Sequence, residues 1–178
     1  QFYAGAMSST AGDDRYLAGA QDNGTQYFTS AGMNNTNEVT GGDGAFIHID
    51  QDNSNVQISS YVYNYYWITS NNWGTNTTKQ IGSSQGRFIN PTDYDSDANI
   101  LYGCYAAGQY SYVSGVGSGN TTGARSVSAF AGAQVSCVGV SPNVANRVYF
   151  GLDNGDVVRV DNANTSSFSA SVVRAGTG

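Results

Sequence analysis

The stretch YLAGAQDNGTQYFTS, residues 16–30, consists of two short strand-like runs separated by Asp22-Asn23-Gly24. Asn-Gly between two such runs predicts a β-hairpin, because a type I′ turn requires positive φ at both central residues. The same three residues recur in LDNG, residues 152–155. A turn that recurs in two parts of a chain is better explained by backbone geometry than by chemistry. Asp22 is therefore interpreted first as a turn residue.

The hairpin pattern of residues 16–30 is repeated along the chain. Each copy has an apolar opening, a small residue, a polar middle and a second strand-like run. The copies lie at 16–30, 57–70, 101–114 and 148–161, with Gly19, Ser60, Gly103 and Gly151 as the small residues. These small residues are 41, 43 and 48 residues apart. A period in the forties with several strands per unit is typical of β-propeller blades.

A second shared feature precedes three of the copies. Residues 46–55, 88–99 and 138–146 each run from an apolar strand, through an Asp, Asn or Pro turn, into the next strand. The sequence therefore predicts an all-β fold, a β-propeller segment of about four blade-like repeats in one unit, 1–178. The predicted repeat cores lie near 16–30, 46–70, 88–114 and 138–161.

The composition supports strands and narrows the range of partners. Only 11% of the residues are charged, Lys occurs once, and Gly and Tyr number 23 and 13. Helix-forming residues are scarce, whereas Tyr, Val and Thr favour strands. The net charge of −6 and the scattered Arg residues argue against a nucleic-acid partner. No apolar run approaches the ~18 residues of a membrane span, so none is predicted.

Three stretches carry a resemblance to a known family: GAQDNGTQYF (19–28), TGGDGAFIHIDQDNSN (40–55) and FINPTDYDSDANILYG (88–103). They resemble secreted bacterial β-propellers with Asp-box (bacterial-neuraminidase-type) repeats. Sortilin-like domains and xyloglucanase-like glycoside hydrolases share this architecture. Large propellers exported by the type IX secretion pathway are the most similar kind. The resemblance implies a bladed fold and an extracellular or cell-surface location.

The chain departs from this family in two ways. The Asp box reads Ser-x-Asp-x-Gly-x-x-Trp, but residues 69–75 keep the Ser and a Trp without the Asp, and residues 113–119 lack both Asp and Trp. Four repeats also fall short of the family's rings of about six to eight blades, although four-bladed rings exist. An open arc would expose sheet faces. We therefore expect the rest of a larger parent chain, or a partner protein, to complete the propeller.

Asp22 and Asp43 are the candidate catalytic carboxylates. Asp43 lies in GGDGAF, where flanking glycines permit close approach of a ligand. A glycosidase needs two carboxyl groups facing across the sugar. Residues 21 positions apart can face different ends of a blade, so two turn-forming aspartates are the favoured interpretation.

Asp93, Asp95 and Asp97 alternate in DYDSDAN and are the candidate metal ligands. Alternating oxygen ligands resemble the first half of a calcium loop, and Ca²⁺ requires about six to eight oxygens. Ala98 and Cys104 stand where an EF-hand has Gly and Glu, which excludes an EF-hand. A looser calcium site and an ordinary Asx-rich turn both remain open.

The aromatic run YVYNYYW, residues 61–67, is the candidate ligand-binding feature. Strand alternation predicts Tyr61, Tyr63, Tyr65 and Trp67 on one face. Such faces stack on sugar rings and equally pack between blades. Trp73, beside an Asn- and Thr-rich loop, is expected to be more exposed than Trp67.

His48 and the two cysteines are given structural interpretations. His48 is the only histidine and lacks the companions that a metal site needs, so it is interpreted as a hydrogen-bonded packing residue. Cys104 and Cys137 fit a single disulfide or two buried thiols equally well.

These features predict a non-catalytic extracellular propeller that serves protein or carbohydrate interaction within a larger secreted or cell-surface protein. Polysaccharide is the expected ligand class, and no cofactor other than calcium is expected. The alternative is a fragment of a glycoside hydrolase of the xyloglucanase-like propeller type, whose remaining carboxylates lie outside these residues.

Overall fold

The computed structural model describes residues 1–176, which form sixteen β-strands in four antiparallel sheets. Blade 1 contains β1 (Phe2–Met7), β2 (Tyr16–Ala20), β3 (Thr25–Phe28) and β4 (Asn37–Thr40). Blade 2 contains β5 (Ile47–Ile49), β6 (Gln57–Ser60), β7 (Tyr65–Thr69) and β8 (Thr77–Gln80). Blade 3 contains β9 (Thr92–Asp95), β10 (Ile100–Cys104), β11 (Gln109–Ser114) and β12 (Thr121–Ser126). Blade 4 contains β13 (Val135–Val140), β14 (Val148–Leu152), β15 (Val157–Asp161) and β16 (Ser169–Arg174), after a 3-10 turn at Ser128–Phe130.

Each blade is a simple meander, because its four strands are hydrogen-bonded in sequence order. The innermost strands β1, β5, β9 and β13 all contribute to an axial cleft of about 470 Å³. The fourth strand of each blade is outermost. The predicted all-β fold of four blade-like repeats is confirmed.

Three hydrophobic clusters join consecutive blades. Leu17 and Tyr27 of blade 1 meet Ile47 and Ile49 of blade 2. A second cluster joins blades 2 and 3, and a third joins blades 3 and 4 around Phe150. Each sheet therefore buries a face against its neighbour, as expected for repeats that cannot fold alone. Blades 1 and 4 share none of these clusters within residues 1–176, so the four blades form an open arc.

Strand pairing fixes which residues correspond between the repeats. The last pair before each β-hairpin is Gly19–Thr25, Ser60–Tyr66, Cys104–Tyr110 and Gly151–Val157. Cys104, rather than Gly103, is therefore the third small residue of the repeat. Gly103 points the opposite way, since a Cβ there would approach the Tyr66 hydroxyl of blade 2 to 3.1 Å.

The hairpin at residues 21–24 forms as predicted, but the type I′ assignment is wrong. Positive φ occurs at Asp22 (61°) and Gly24 (62°), not at Asn23. At residues 152–155 only Gly155 has positive φ. Asp22 stands three residues after Gly19, the last paired residue before its turn, whereas Asp153 stands two residues after Gly151. The same tripeptide therefore occupies different turn positions and forms two different turns.

A buried polar network fastens blade 2 to blade 3 through the side chain of Asn64. Its amide donates to the carbonyl oxygens of Gln85 and Cys104, both at 2.8 Å. Its Oδ1 accepts from the hydroxyls of Tyr66 (2.8 Å) and Ser111 (2.6 Å). Because Asn64 is 1% exposed, no water can replace these four bonds.

Replacing Asn64 with Ala is expected to lower the free energy of unfolding by about 3 kcal/mol, because the change leaves buried donors and acceptors unpaired. Urea unfolding followed by far-UV circular dichroism measures this loss. Asn143→Ala, at an exposed turn position, is the matched control and should change stability by less than about 0.5 kcal/mol. Equal stabilities of the two variants would contradict the role given to Asn64.

Cys104 and Cys137 are free thiols in different environments, which settles the open question of a disulfide. Cys104 is fully buried, and burial raises the pKa of its thiol to about 11. Cys137 is exposed on β13.

We expect one fast-reacting thiol in dilute, monomeric native protein, because thiolate is the reactive form and only Cys137 is accessible there. Titration with a chromogenic disulfide reagent near pH 8 should count one thiol before and two after unfolding. Cys137→Ser should leave none in the native state. Two fast thiols in the dilute, monomeric wild type, or none, would contradict the structure.

Candidate binding surface

The aromatic run of blade 2, residues 61–67, begins at one end of the arc, which we call the upper end. The hairpins between the second and third strands and the loops that connect successive blades lie at this end. The turns between the first and second strands, and between the third and fourth, lie at the lower end. This division follows from the meander order of every blade.

Residues 61–67 do not form one strand. Residues 61–64 make the hairpin turn, in which Tyr63 has a φ of 56°. The prediction that Tyr63 shares a strand face with Tyr61, Tyr65 and Trp67 is therefore wrong. A turn was hidden by the uninterrupted aromatic sequence, because Asn64 is the only turn-forming residue in it.

Tyr61, Tyr65 and Trp67 do come together, and we call them the aromatic cluster. Their ring centroids are 6.0 Å (Tyr61–Tyr65), 4.9 Å (Tyr65–Trp67) and 5.7 Å (Tyr61–Trp67) apart. All three rings are half-buried. Tyr61 lies against the loop from blade 1, since a Cβ at Gly42 would approach its ring to 2.7 Å. The cluster therefore flanks the seam between blades 1 and 2.

Tyr63 belongs to a separate aromatic pair with Phe88. The rings meet edge to face, 5.9 Å apart, and the Tyr63 N–H donates to the Phe88 carbonyl at 3.0 Å. Phe88 is 47% exposed. Sequence reasoning missed Phe88 because a single aromatic residue before a strand gives no signal of exposure.

Trp73 lies at the lower end, away from the aromatic cluster. Its φ is 66°, its indole N–H donates to Gln57 Oε1 at 2.6 Å, and its ring packs on the core between blades 1 and 2. Like Trp67 it is half-buried and not exposed.

The structure brings Asp22 and Asp43 together at the upper end of blade 1. Asp43 Oδ1 accepts the backbone N–H of Asp22 at 2.9 Å. Two backbone bonds flank this contact, Gly24 N–H to the Gly42 carbonyl (2.8 Å) and Gly44 N–H to the Ala20 carbonyl (2.9 Å). The Asp43 carboxylate thus fastens the interblade loop to the hairpin, which is the turn role favoured from the sequence.

Asp93, Asp95 and Asp97 lie in three different environments. Asp93 accepts the Val140 N–H of blade 4 at 2.7 Å, and burial raises the pKa of its carboxyl. Asp95 is buried and caps its own turn by accepting the Ala98 N–H at 3.0 Å, whereas Asp97 is exposed. No group of three or more His, Cys, Asp or Glu side chains within residues 1–176 is arranged to hold a metal ion.

Asp95 has counterparts in the neighbouring blades. Asp50 accepts the N–H groups of Asp52 and Asn53, and the Ser141 hydroxyl accepts those of Asn143 and Val144. Side chains that cap the same turn in three blades serve backbone geometry.

His48 faces blade 3 beside the axial cleft. Its Nε2 lies 2.9 Å from the Thr92 hydroxyl, and burial lowers the pKa of the imidazole to about 4. The ring is enclosed by protein on most sides, although part of the residue remains accessible from the cleft. This environment fits the predicted packing role.

Comparison with known proteins identifies the fold and nothing finer. No family model and no curated protein matches the chain. The solved structure of YCF48 from Cyanidioschyzon merolae, a β-propeller, superposes with a TM-score of 0.59 at 14% identity. The match covers 89% of this chain and 55% of that one, so the chain spans about half the length of this neighbour. At this identity the likeness shows the propeller fold alone. No helix within residues 1–176 is long and apolar enough to cross a membrane.

The depressed pKa of His48 makes stability depend on pH. Because the unfolded imidazole binds a proton near pH 6.5 and the folded one only near 4, the contribution of neutral His48 is complete above pH 6.5 and is lost between 6.5 and 4. We expect the unfolding free energy of the wild type to fall by roughly 2 kcal/mol across this window, after allowance for the exposed part of the ring. His48→Gln should flatten that slope in urea titrations. An unchanged slope would show that the His48 pKa is not depressed.

Proposed function

We propose that the chain is a non-catalytic extracellular β-propeller module that contacts carbohydrate within a larger secreted or cell-surface protein. The propeller fold is typical of interaction modules. The aromatic cluster carries the carbohydrate assignment, because three half-buried rings with polar groups offer an apolar platform for sugar rings. Part of each ring is accessible to a ligand, unlike the ring of Tyr66, which is 1% exposed.

Two observations support the extracellular assignment. The chain is acidic and contains a single Lys, a composition typical of secreted propellers of the kind that it resembles. Asn72 and Gly74 also stand two and four residues after Ser70, the spacing of Asp and Gly in an Asp box. Asn72 Oδ1 accepts from the Tyr27 hydroxyl and from the Gln57 amide, so this loop fastens blade 2 to blade 1.

A glycoside hydrolase of the xyloglucanase-like type is the second candidate function, and one contact supports it. The 2.9 Å bond between Asp22 N and Asp43 Oδ1 places two carboxylate residues at one corner of blade 1. A glycosidase holds its two carboxyl groups on either side of the scissile bond. The Asp43 carboxylate instead accepts the backbone N–H of Asp22. This structural role favours a binding module over a glycosidase.

Titration of a soluble xyloglucan and a mixed-linkage β-glucan into the protein tests the proposal. Tyr65→Ala should weaken binding about tenfold, because one stacking ring is lost. Tyr112→Ala, a change to a half-buried Tyr between blades 3 and 4, is the matched control and should bind like the wild type. Thermal unfolding of both variants checks that they fold.

Incubation with the same two glucans distinguishes the binding module from the glycoside hydrolase. Release of reducing sugar by the wild type, abolished in Asp43→Asn, would establish the hydrolase instead. Absence of binding to both glucans, or equal binding by Tyr65→Ala and the wild type, would remove the aromatic cluster as the contact surface.

A further inference from the structure

The face of blade 1 that points away from blade 2 is apolar, and no other blade within residues 1–176 covers it. Met7, Tyr16, Ala18 and Phe28 lie on this face by strand register, and the Tyr16 and Phe28 rings stack 4.0 Å apart. Met7 is 72% exposed, and Met33 beside it is fully exposed. These residues line a broad groove of about 940 Å³. Apolar surface of this kind marks an interaction site.

Blade 4 presents the other uncovered face, which differs in shape. Its inner half carries small residues, Cys137, Gly139 and Gly151, and a Cβ added at Gly139 would meet no atom within 4 Å. The same face also carries Arg147, directly before β14, and Arg159 on β15, which share the carboxylate of Asp161. Two Arg and one Asp give this part of the face a net positive charge.

The internal interfaces show what the uncovered face of blade 4 is built to receive. In blades 1 to 3 the face toward the next blade is centred on one cross-strand pair with a small residue beside it. The pairs are Leu17–Tyr27, Ile58–Ile68 and Tyr102–Tyr112, and the small residues are Gly19, Ser60 and Cys104. Blade 4 repeats the plan with Tyr149–Arg159 and Gly151. This face therefore has the construction of one that seats a following blade.

The uncovered face of blade 1 has the complementary properties. It carries the large apolar side chains of Met7, Tyr16 and Phe28, whereas the first strand of blade 4 is open at Gly139. Glu38, exposed on the outermost strand of the same face, supplies a carboxylate to a partner with excess Arg. Within the chain, innermost strands of consecutive blades lie side by side, β1 with β5 and β9 with β13. The same arrangement would set β13 of one copy beside β1 of another.

We propose that two copies of this chain join head to tail, with blade 4 of each copy seated on blade 1 of the other. The contact is heterologous, and two of them close a ring of eight blades, within the range of about four to eight found for propellers. Closure covers both end faces of each copy. The occupant of the groove on blade 1 is thus the Cys137, Gly139 and Tyr149 face of a second copy.

Sedimentation velocity and light scattering on the chain test this assembly. The wild type should form a dimer, with no larger species, at concentrations up to about 100 µM, where a specific contact is populated. Met7→Glu places a charge in the groove, and Gly139→Arg fills the open floor of blade 4. Each variant alone should weaken dimerisation by more than about 30-fold, because a desolvated charge opposes the contact.

A mixture of the two variants provides the decisive measurement. The copy carrying Met7→Glu keeps an intact blade 4, and the copy carrying Gly139→Arg keeps an intact blade 1, so their equimolar mixture should recover the dimer. The introduced Glu and Arg also face each other at the second contact. If either face contacted itself, the variant on the other face would dimerise alone and the mixture would recover nothing further, which would overturn the proposal.

Ser84→Glu and Gly119→Arg are the matched controls, because both positions are exposed and belong to the inner blades 2 and 3, which carry neither end face. Both should dimerise like the wild type. A wild type that stays monomeric at about 100 µM would refute the second copy as occupant. If that monomer bound a hydrophobic dye and lost the dye in Met7→Glu, the groove would be an apolar surface that a second copy does not cover.

Discussion

Each blade has two faces to bury, and this constraint organises the whole molecule. A four-stranded meander alone leaves both faces open to water, so the chain must supply a neighbour on each side. Residues 1–176 meet this requirement three times, at the clusters between consecutive blades. At the small position of blade 1, occupied by Gly19, the backbone that leads into blade 2 approaches closely. A Cβ at Gly19 would lie 2.1 Å from the Ala45 carbonyl oxygen.

Polar contacts fix the position of each sheet against the next, which apolar contacts alone do not determine. Apolar contact is non-directional, so sheets that met only through Leu, Ile and Val could slide. Thr25 and Thr40 of blade 1 both bond the Ser59 hydroxyl of blade 2 at 2.7 Å. Asn64 serves the next interface through bonds to the Cys104 carbonyl and to Ser111. Both sets are buried, where such bonds are strong and costly to break.

The sequence predicted the features that depend on local pattern and missed those that depend on contact between repeats. Hairpin spacing identified four blades, because turn residues and strand runs are local signals. The conformation of residues 21–24 was not readable, since the loop carrying Asp43 bonds to that hairpin across the interface and selects its turn. The aromatic run failed for the same reason: Tyr63 leaves the strand face because it pairs with the distant Phe88.

The aromatic cluster and the open end faces occupy different sides of blade 1, which has a consequence for function. The cluster flanks the seam with blade 2, where Gly42, at a φ of 77°, lets the loop pass the edge of Tyr61. The groove with Met7 and Phe28 lies on the opposite face of blade 1. A neighbour seated in that groove therefore does not cover the cluster. Closure of the ring would instead hold blade 1 from both sides and keep the loop against Tyr61, so a completed propeller would present the same aromatic surface with less freedom to rearrange.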